Sequence, residues 1–311
     1  RNPGYGNDLR ALELCKRVLL DLKALKLVAV TVNWNRAEDT IACVQSLKAQ
    51  SLPLNKIIVV ENGSDEEPSF ISRNPFDDIE VLETGKNLGF GAGANAGMKR
   101  ALAMGADYVL LINNDTIADV KMLETLLEES QKEGFAISAP LIYYHDNPNE
   151  VWSAGGHICQ VFGLPLNAHH RKNPPSVNTQ RSFLTGCCLL FSKFAIEKLG
   201  FFVEDYFMYY EDLDYMARAR QAGIKIGLVP SAKLWHKEAQ SSGGYLNPKE
   251  RYWSARSLMK YSKRATKWWN AIPLWAHRAI SVFLWTLRLL LKGKPDALKA
   301  YWQGLREGLK A

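Results

Sequence analysis

The chain has 311 residues, 47% of them hydrophobic and 23% charged, with a formal net charge of +7. These values exclude wholesale disorder and suit one large α/β domain with an appendage, or two small domains. The charge is uneven: fourteen Lys/Arg against three acids fall from Lys249 onward, so that segment carries +11 and the remainder −4. The five cysteines (Cys15, Cys43, Cys159, Cys187 and Cys188) are odd in number and form no CxxC pair. That excludes a zinc ribbon and a disulfide framework. It points to buried thiols in a reducing compartment. No secretory leader is legible in the first twenty residues.

Taken in chain order, leucines among charges predict an amphipathic helix over 8–26. The β-branched run 27–33 reads as a buried parallel strand, followed by a helix over 37–50. A second strand spans 56–62 and closes on Gly63-Ser64-Asp65, and a weaker one covers 79–83. Residues 89–105 enter through small residues into a helix, 107–115 form the most apolar strand, and 119–133 form a helix. Alternation at this spacing is the pattern of a doubly wound, mostly parallel sheet, whose ligands sit beyond the carboxyl ends of the strands. Polar residues cluster at those ends: Asn33, Glu61, Asn62 and Asn113 to Asp115.

Residues 140–182, rich in Pro, Asn, His and Gly, read as loops with short strands. A buried strand is expected over 182–192, a helix over 212–223 and a strand over 225–236. From 249 on, tryptophans lie among basic residues. The apolar run 272–291 contains His277, Arg278 and Arg288, which disfavours a membrane-crossing helix. It fits an interfacial amphipathic helix against anionic lipid, or a helical subdomain packed on the core.

The residues that could carry chemistry fall in three places. Asp115 at a strand end could hold Mg²⁺ or Mn²⁺, hard cations that take oxygen ligands; a turn or helix cap is the competing reading. Glu211, Asp212 and Asp214 open a helix after an aromatic stretch. They read either as dipole-favoured caps or as a general base whose pKa is raised by apolar walls. His236 ends a strand and could be a ligand to a transition ion such as Mn²⁺. The run Gly89, Gly91, Gly93, Gly97 lacks the spacing of a dinucleotide fingerprint and follows the third strand, so its small residues let the helix approach the sheet or a nucleotide. A P-loop and a GxSxG elbow are absent.

Seven strings in order resemble the family 2 glycosyltransferases of GT-A fold, in the rhamnosyltransferase-like branch of bacterial surface-polysaccharide enzymes. They are VTVNWNR (30–36), IIVVENGSDE (57–66), NLGFGAGANAGM (87–98), YVLLINNDT (108–116), LTGCCLLFSKFAIEKLGFF (184–202), FMYYEDLDYMARARQAG (207–223) and VPSAKLWH (229–236). The resemblance implies a hexosyltransferase with a donor-binding half over 27–140, an acceptor-binding half over 141–248, and a C-terminal amphipathic, membrane-associated segment over 249–311. Asn33, Trp34 and Asn35 would face the nucleobase. Glu61 stands where the family usually has Asp. Asn62, Asn87, Gly89, Asn113, Asn114 and Arg256 would contact the nucleotide-sugar. Asn113-Asn114-Asp115 occupies the family's DxD site, so Asp115 with His236 would hold Mg²⁺ or Mn²⁺. Asp212 matches the base, with Glu211 and Asp214 in support.

The reaction implied is a single, inverting displacement on a dTDP- or UDP-sugar, with L-rhamnose from dTDP-rhamnose expected first. A UDP-dependent galactofuranosyl, glucosyl or N-acetylglucosaminyl transferase is the alternative, as is a non-catalytic relative acting as a membrane scaffold. The acceptor expected is a glycan or lipid-diphosphate-linked sugar at the cytoplasmic face of the cell membrane, with the chain bound peripherally. Self-association is left open. No nucleic-acid motif accompanies the basic tail. A nucleotidyltransferase or dehydrogenase would need a glycine-rich loop after the first strand, where NWNRAED stands instead.

Overall fold

The structure is a computed structural model that describes residues 24–65, 78–166, 174–237 and 246–311. The helix expected over 8–26 lies outside these residues up to position 23, and 24–26 are not helical. The first half follows the alternation closely: β1 (Leu27–Asn33), α1 (Ala37–Lys48), β2 (Lys56–Glu61), β3 (Ile79–Glu83), α2 (Phe90–Ala103), β4 (Tyr108–Ile112) and α3 (Met122–Glu133), with a short β5 (Thr116–Ala118) between the last two. The second half comprises β6 (Ile137–Tyr144), β7 (Val151–Ser153), β8 (His157–Cys159), β9 (Leu164–Leu166), β10 (Thr179–Gln180), β11 (Cys188–Ser192), α4 (Lys193–Leu199), α5 (Glu211–Gln221) and β12 (Ile226–His236). Three helices close the chain: α6 (Pro248–Ala265), α7 (Ala271–Leu291) and α8 (Pro295–Lys310).

The main sheet runs β10-β12-β6-β11-β4-β1-β2-β3, with β5 on β12 and β7 on β6. Strands β4, β1, β2 and β3 pair in parallel, as do β12 and β6, whereas β11 is antiparallel to both its neighbours. Alternate residues of each strand enter opposite cores. Val28 and Val30 of β1 pack with α2, α4 and α5, and Leu27 and Ala29 pack with α1 and α3. This period of two is what a strand buried on both faces requires. Gly97 fixes how close α2 lies to the sheet: a Cβ there would fall 2.3 Å from Val30 Cγ1 and 2.9 Å from Val60 Cγ2. The glycine run thus serves helix-to-sheet packing.

Two strand expectations need correction. β11 begins at Cys188, not 182; residues 182–187 form a loop that crosses to α5, where the Gly186 N–H donates to Asp212 Oδ2 at 2.9 Å. β6 is an eight-residue strand inside the sheet, although the sequence from 140 on reads as loops with only short strands. Pro140 obscures it, since proline is confined to edges and bulges. It is tolerated because the β6–β12 register shifts between Val229 and Lys233, immediately after the Val229–Pro140 pair.

The last three helices share a separate core of Ala255, Leu258, Met259, Leu289, Ala297, Tyr301 and Leu305. Gly304 and Gly308 press α8 onto the α6 backbone, each leaving 2.3 Å between a would-be Cβ and a carbonyl oxygen, of Tyr252 and Arg256 respectively.

Candidate active site

Two cavities open along the carboxyl ends of the strands. The smaller, of about 570 Å³, is lined by Trp34, Asn62, Asn87, Gly89, Asn114 and Asp115 among others. The larger, of about 1220 Å³, is lined by Trp152, Thr185, Gly186, Tyr209, Glu211 and Asp212 among others. Phe90, Asn113 and Met208 line both, so the two adjoin.

Beneath the smaller cavity lies a network at the ends of β1 and β2. Asn33 Nδ2 donates to Glu61 Oε2 at 2.5 Å, and Thr40 Oγ1 donates to Asn33 Oδ1 at 2.7 Å. Ser64 donates to Glu61 Oε1 through both N–H (2.8 Å) and Oγ (2.5 Å), and Asn114 Nδ2 donates to Thr40 Oγ1 at 2.9 Å. Asn35, at φ 55°, exchanges hydrogen bonds of 2.8 Å with Asp65. Asn33, Asn35 and Glu61 therefore sit behind the lining residues and fix Asn114 and the 62–65 turn in place. Asn62 in turn holds Asn87 and the Gly89 carbonyl.

The antiparallel pairing of β5 with β12 sets His236 opposite Thr116, which brings the imidazole to Asp115. His236 Nε2 lies 3.2 Å from Asp115 Oδ1, and both residues are buried. The contact is not a formed hydrogen bond. Asp115 Oδ1, His236 Nδ1 and the neighbouring Asn113 Oδ1 are buried with no hydrogen-bond partner among the described residues. Buried polar groups are normally paired, so these atoms are open to a water, a ligand or an ion. β5 was not legible in the sequence, and it is what makes residues 115 and 236 neighbours.

Across the larger cavity, Tyr209 (φ 67°) and Tyr210 (φ 69°) both occupy the left-handed region. That conformation is strained for bulky residues and concentrates at functional sites. It turns the chain so that Glu211 and Asp212 open α5 on the cavity wall. Asp212 accepts from Gly186 N (2.9 Å) and Leu213 N (2.7 Å). Burial pushes both carboxyls up, Glu211 to about 8, helped by the charge of Asp212. Only Asp212 receives two backbone N–H groups from its surroundings, while Glu211 Oε2 has no partner. The proton of this pair therefore sits on Glu211 and the negative charge on Asp212, where the helix N-terminus also favours it.

Asp214 is not part of this wall. Two residues along a helix turns a side chain to the far side. Its carboxylate there binds Arg218 Nε and Arg264 Nε, each at 3.0 Å. Arg256 lines neither cavity; its Nη1 donates to the Asp205 carbonyl at 3.1 Å and its guanidinium sits 5.4 Å from the Trp253 ring. Phe90, Met208, Trp152 and the Thr185-Gly186 loop line the cleft without having been singled out, although the quoted strings contain all of them but Trp152. Gly89 (φ 84°) ties the two cavities together: a Cβ there would meet the Phe207 carbonyl oxygen at 2.2 Å, and Phe90 N donates to the same oxygen at 2.9 Å. Cys43, Cys187 and Cys188 are free and buried, as expected, and burial raises their pKa values.

Comparison with known proteins gives a consistent result. The family described as Glycosyl transferase family 2 matches residues 28–200. The chain is 25% identical over 247 residues to the low-salt glycan biosynthesis hexosyltransferase Agl10 of Haloferax volcanii, covering 75% of this chain and 76% of that one. It is 26% identical over 248 residues to the N-acetylglucosaminyl-diphospho-decaprenol L-rhamnosyltransferase of Mycobacterium tuberculosis, covering 71% and 79%. Among solved structures, S. aureus TarS 1-349 superposes with a TM-score of 0.58 at 15% identity, covering 92% of this chain and 82% of that one. GalNAc-T7, solved with UDP, GalNAc and Mn²⁺, superposes with a TM-score of 0.59 at 14% identity, covering 75% of this chain and 47% of that one. These superpositions share the GT-A architecture of a largely parallel central sheet with flanking helices. With the family match spanning more than half of its length, the chain belongs to glycosyl transferase family 2 and is a glycosyltransferase.

Proposed function

We propose that the chain transfers a sugar, L-rhamnose first among candidates, from a nucleoside diphosphate to an acceptor hydroxyl with inversion, during surface-polysaccharide synthesis. The observation that carries this reading is the adjacency of the two cavities, with Asp115 on one, the buried His236 beside it, and Asp212 on the other. The smaller cavity takes the nucleoside diphosphate against Trp34, Asn62, Asn87 and Asn114. Asp115 and His236 would hold Mg²⁺ or Mn²⁺ there. Asp115 Oδ1, which accepts no hydrogen bond, and His236 Nε2, 3.2 Å from it, suit such an ion, which binds through one or two protein ligands plus water and phosphate oxygens. When bound, the cation offsets charge developing on the leaving diphosphate.

Asp212 takes the proton of the acceptor hydroxyl. Its two backbone hydrogen bonds fix the carboxylate, and the apolar walls of Phe90 and Met208 raise its basicity. Neutral Glu211 avoids a second negative charge beside it. L-Rhamnose is favoured by the relatives whose names state rhamnosyl transfer, in Mycobacterium tuberculosis and Shigella flexneri. A UDP-linked donor is the second reading, favoured by the relatives named galactofuranosyltransferase.

The acceptor end of the reading is a membrane-bound one. Helix α7 is 21 residues long and is the one described helix apolar enough to cross a bilayer. Arg278 within it is buried, donating to Ser262 Oγ and to the Phe162 and Gly163 carbonyls, so α7 is pinned to the globular body. Its outer face leaves Ile272, Ile280, Phe283, Leu284 and Leu291 exposed, beside Trp268 at 92% exposure. An interfacial seat on anionic lipid, at the cytoplasmic face, suits that face and the +11 segment around it.

The test is a transfer assay with dTDP-rhamnose, UDP-galactofuranose, UDP-glucose and UDP-N-acetylglucosamine, each with Mn²⁺ or EDTA. Metal-dependent turnover of dTDP-rhamnose alone is expected. Turnover of a UDP-sugar instead moves the reading to the second donor, and turnover of none overturns it.

A further inference from the structure

A second cavity, of about 1340 Å³, lies apart from the active site. It lies behind α5, between the C-terminal halves of α5 and α6, the β8–β9 hairpin and the turn into α7. Four cationic side chains line it, Arg218, Arg220, Arg264 and Lys267, against a single carboxylate, Asp214. Asp214 is buried and already neutralised by Arg218 and Arg264. No hydrogen bond or ion pair ties the side chains of Arg220 and Lys267 to another described residue. Tyr261 and Trp269 supply aromatic wall.

The walls are fixed by buried hydrogen bonds. Asn270, 1% exposed, donates to the Gln160 and Ala265 carbonyls and accepts from Lys267 N at 2.6 Å. Arg278 clamps the β8–β9 turn from the other side. Arg264 and Lys267 are exposed and Arg220 is half-buried, and a concavity with this net positive charge, whose Arg220 and Lys267 side chains have no ion-pair partner among the described residues, attracts an anion.

We infer that this cavity is a second binding site, for a phosphate-bearing group held by Arg220, Lys267 and the outer nitrogens of Arg264, separate from the donor cavity. Phosphate matches the fork of guanidinium donors. The group could be carried by a soluble compound or by a lipid headgroup at the level of Trp268 and Trp269, and the test separates the two. This inference does not depend on the donor assignment.

The experiment compares the full chain with Arg220→Gln/Lys267→Gln, a variant that leaves the Asp214 ion pairs intact. Inorganic pyrophosphate is titrated calorimetrically in EDTA, and binding is measured to phosphatidylcholine vesicles with and without phosphatidic acid. UDP affinity with Mn²⁺ is expected to be the same in both proteins. Pyrophosphate is expected to bind the variant about tenfold more weakly. If vesicle binding drops as well, the source is a headgroup; if only pyrophosphate binding drops, it is soluble. If neither phosphate probe distinguishes the two proteins, the inference is overturned.

Discussion

Two groups of buried polar atoms along the cleft are treated in opposite ways. Below the smaller cavity, Asn33, Thr40, Glu61, Ser64 and Asn114 satisfy one another. Around Asp115 and Glu211, four buried atoms (Asn113 Oδ1, Asp115 Oδ1, His236 Nδ1 and Glu211 Oε2) have no partner among the described residues. A closed network stabilises one conformation, whereas an open one waits for a ligand. Changes in the first region should therefore register as stability, and changes in the second as chemistry.

The largest effect that would break this distinction, or uphold it, is at Asp212. Asp212→Asn keeps the shape and removes the base, so turnover should fall by about 10³-fold while nucleotide affinity holds, read by steady-state kinetics beside calorimetry. Unchanged turnover would remove Asp212 as the base. Gly186→Ala tests its positioning. The added Cβ would lie 3.3 Å from Asp212 Cβ, so the carboxylate must shift by a few tenths of an ångström. A loss of about tenfold in kcat with an unaltered melting temperature is expected.

Glu211→Gln sharpens the comparison through pH. Glu211 stays protonated in the fold up to about 8, whereas the unfolded chain releases that proton in the ordinary glutamate range. Between those limits the native state binds the extra proton, so this residue makes stability fall as pH rises. The glutamine variant should melt higher than the parent at pH 8, with the difference vanishing towards pH 4. It should retain turnover near neutrality and lose any alkaline inflection belonging to Glu211. The smallest kinetic effect is expected for Thr40→Val, which strips one partner each from Asn33 and Asn114. It should cost about 1–3 kcal/mol in denaturant unfolding and leave kcat within a few-fold.

Much of this arrangement was legible in the sequence. The strand over 27–33 falls at the expected residues because a β-branched run buried on both faces leaves little ambiguity, and the half-buried edge strand over 79–83 does so as well. Asp115, Asp212 and His236 were legible as candidates. Their separation into orphaned and satisfied groups was not, because it depends on which atoms meet across the sheet. β5 has three residues, too few for a periodic signal, yet it joins 115 to 236. Asp214 reads like Asp212 in a string of acids, and only the helical turn separates a wall residue from an arginine-bound one. Arg256 was assigned through the family resemblance alone, and α6 presents it to the Asp205 carbonyl outside the cleft.

The most direct test of the orphaned-atom argument is a calorimetric titration of UDP and dTDP into the parent, Asp115→Ala and Thr40→Val, each in Mn²⁺ and in EDTA. The parent and Thr40→Val are predicted to bind the nucleotide more tightly with Mn²⁺, and Asp115→Ala to show no such gain. A gain that survives in Asp115→Ala, or disappears in Thr40→Val, would contradict the account.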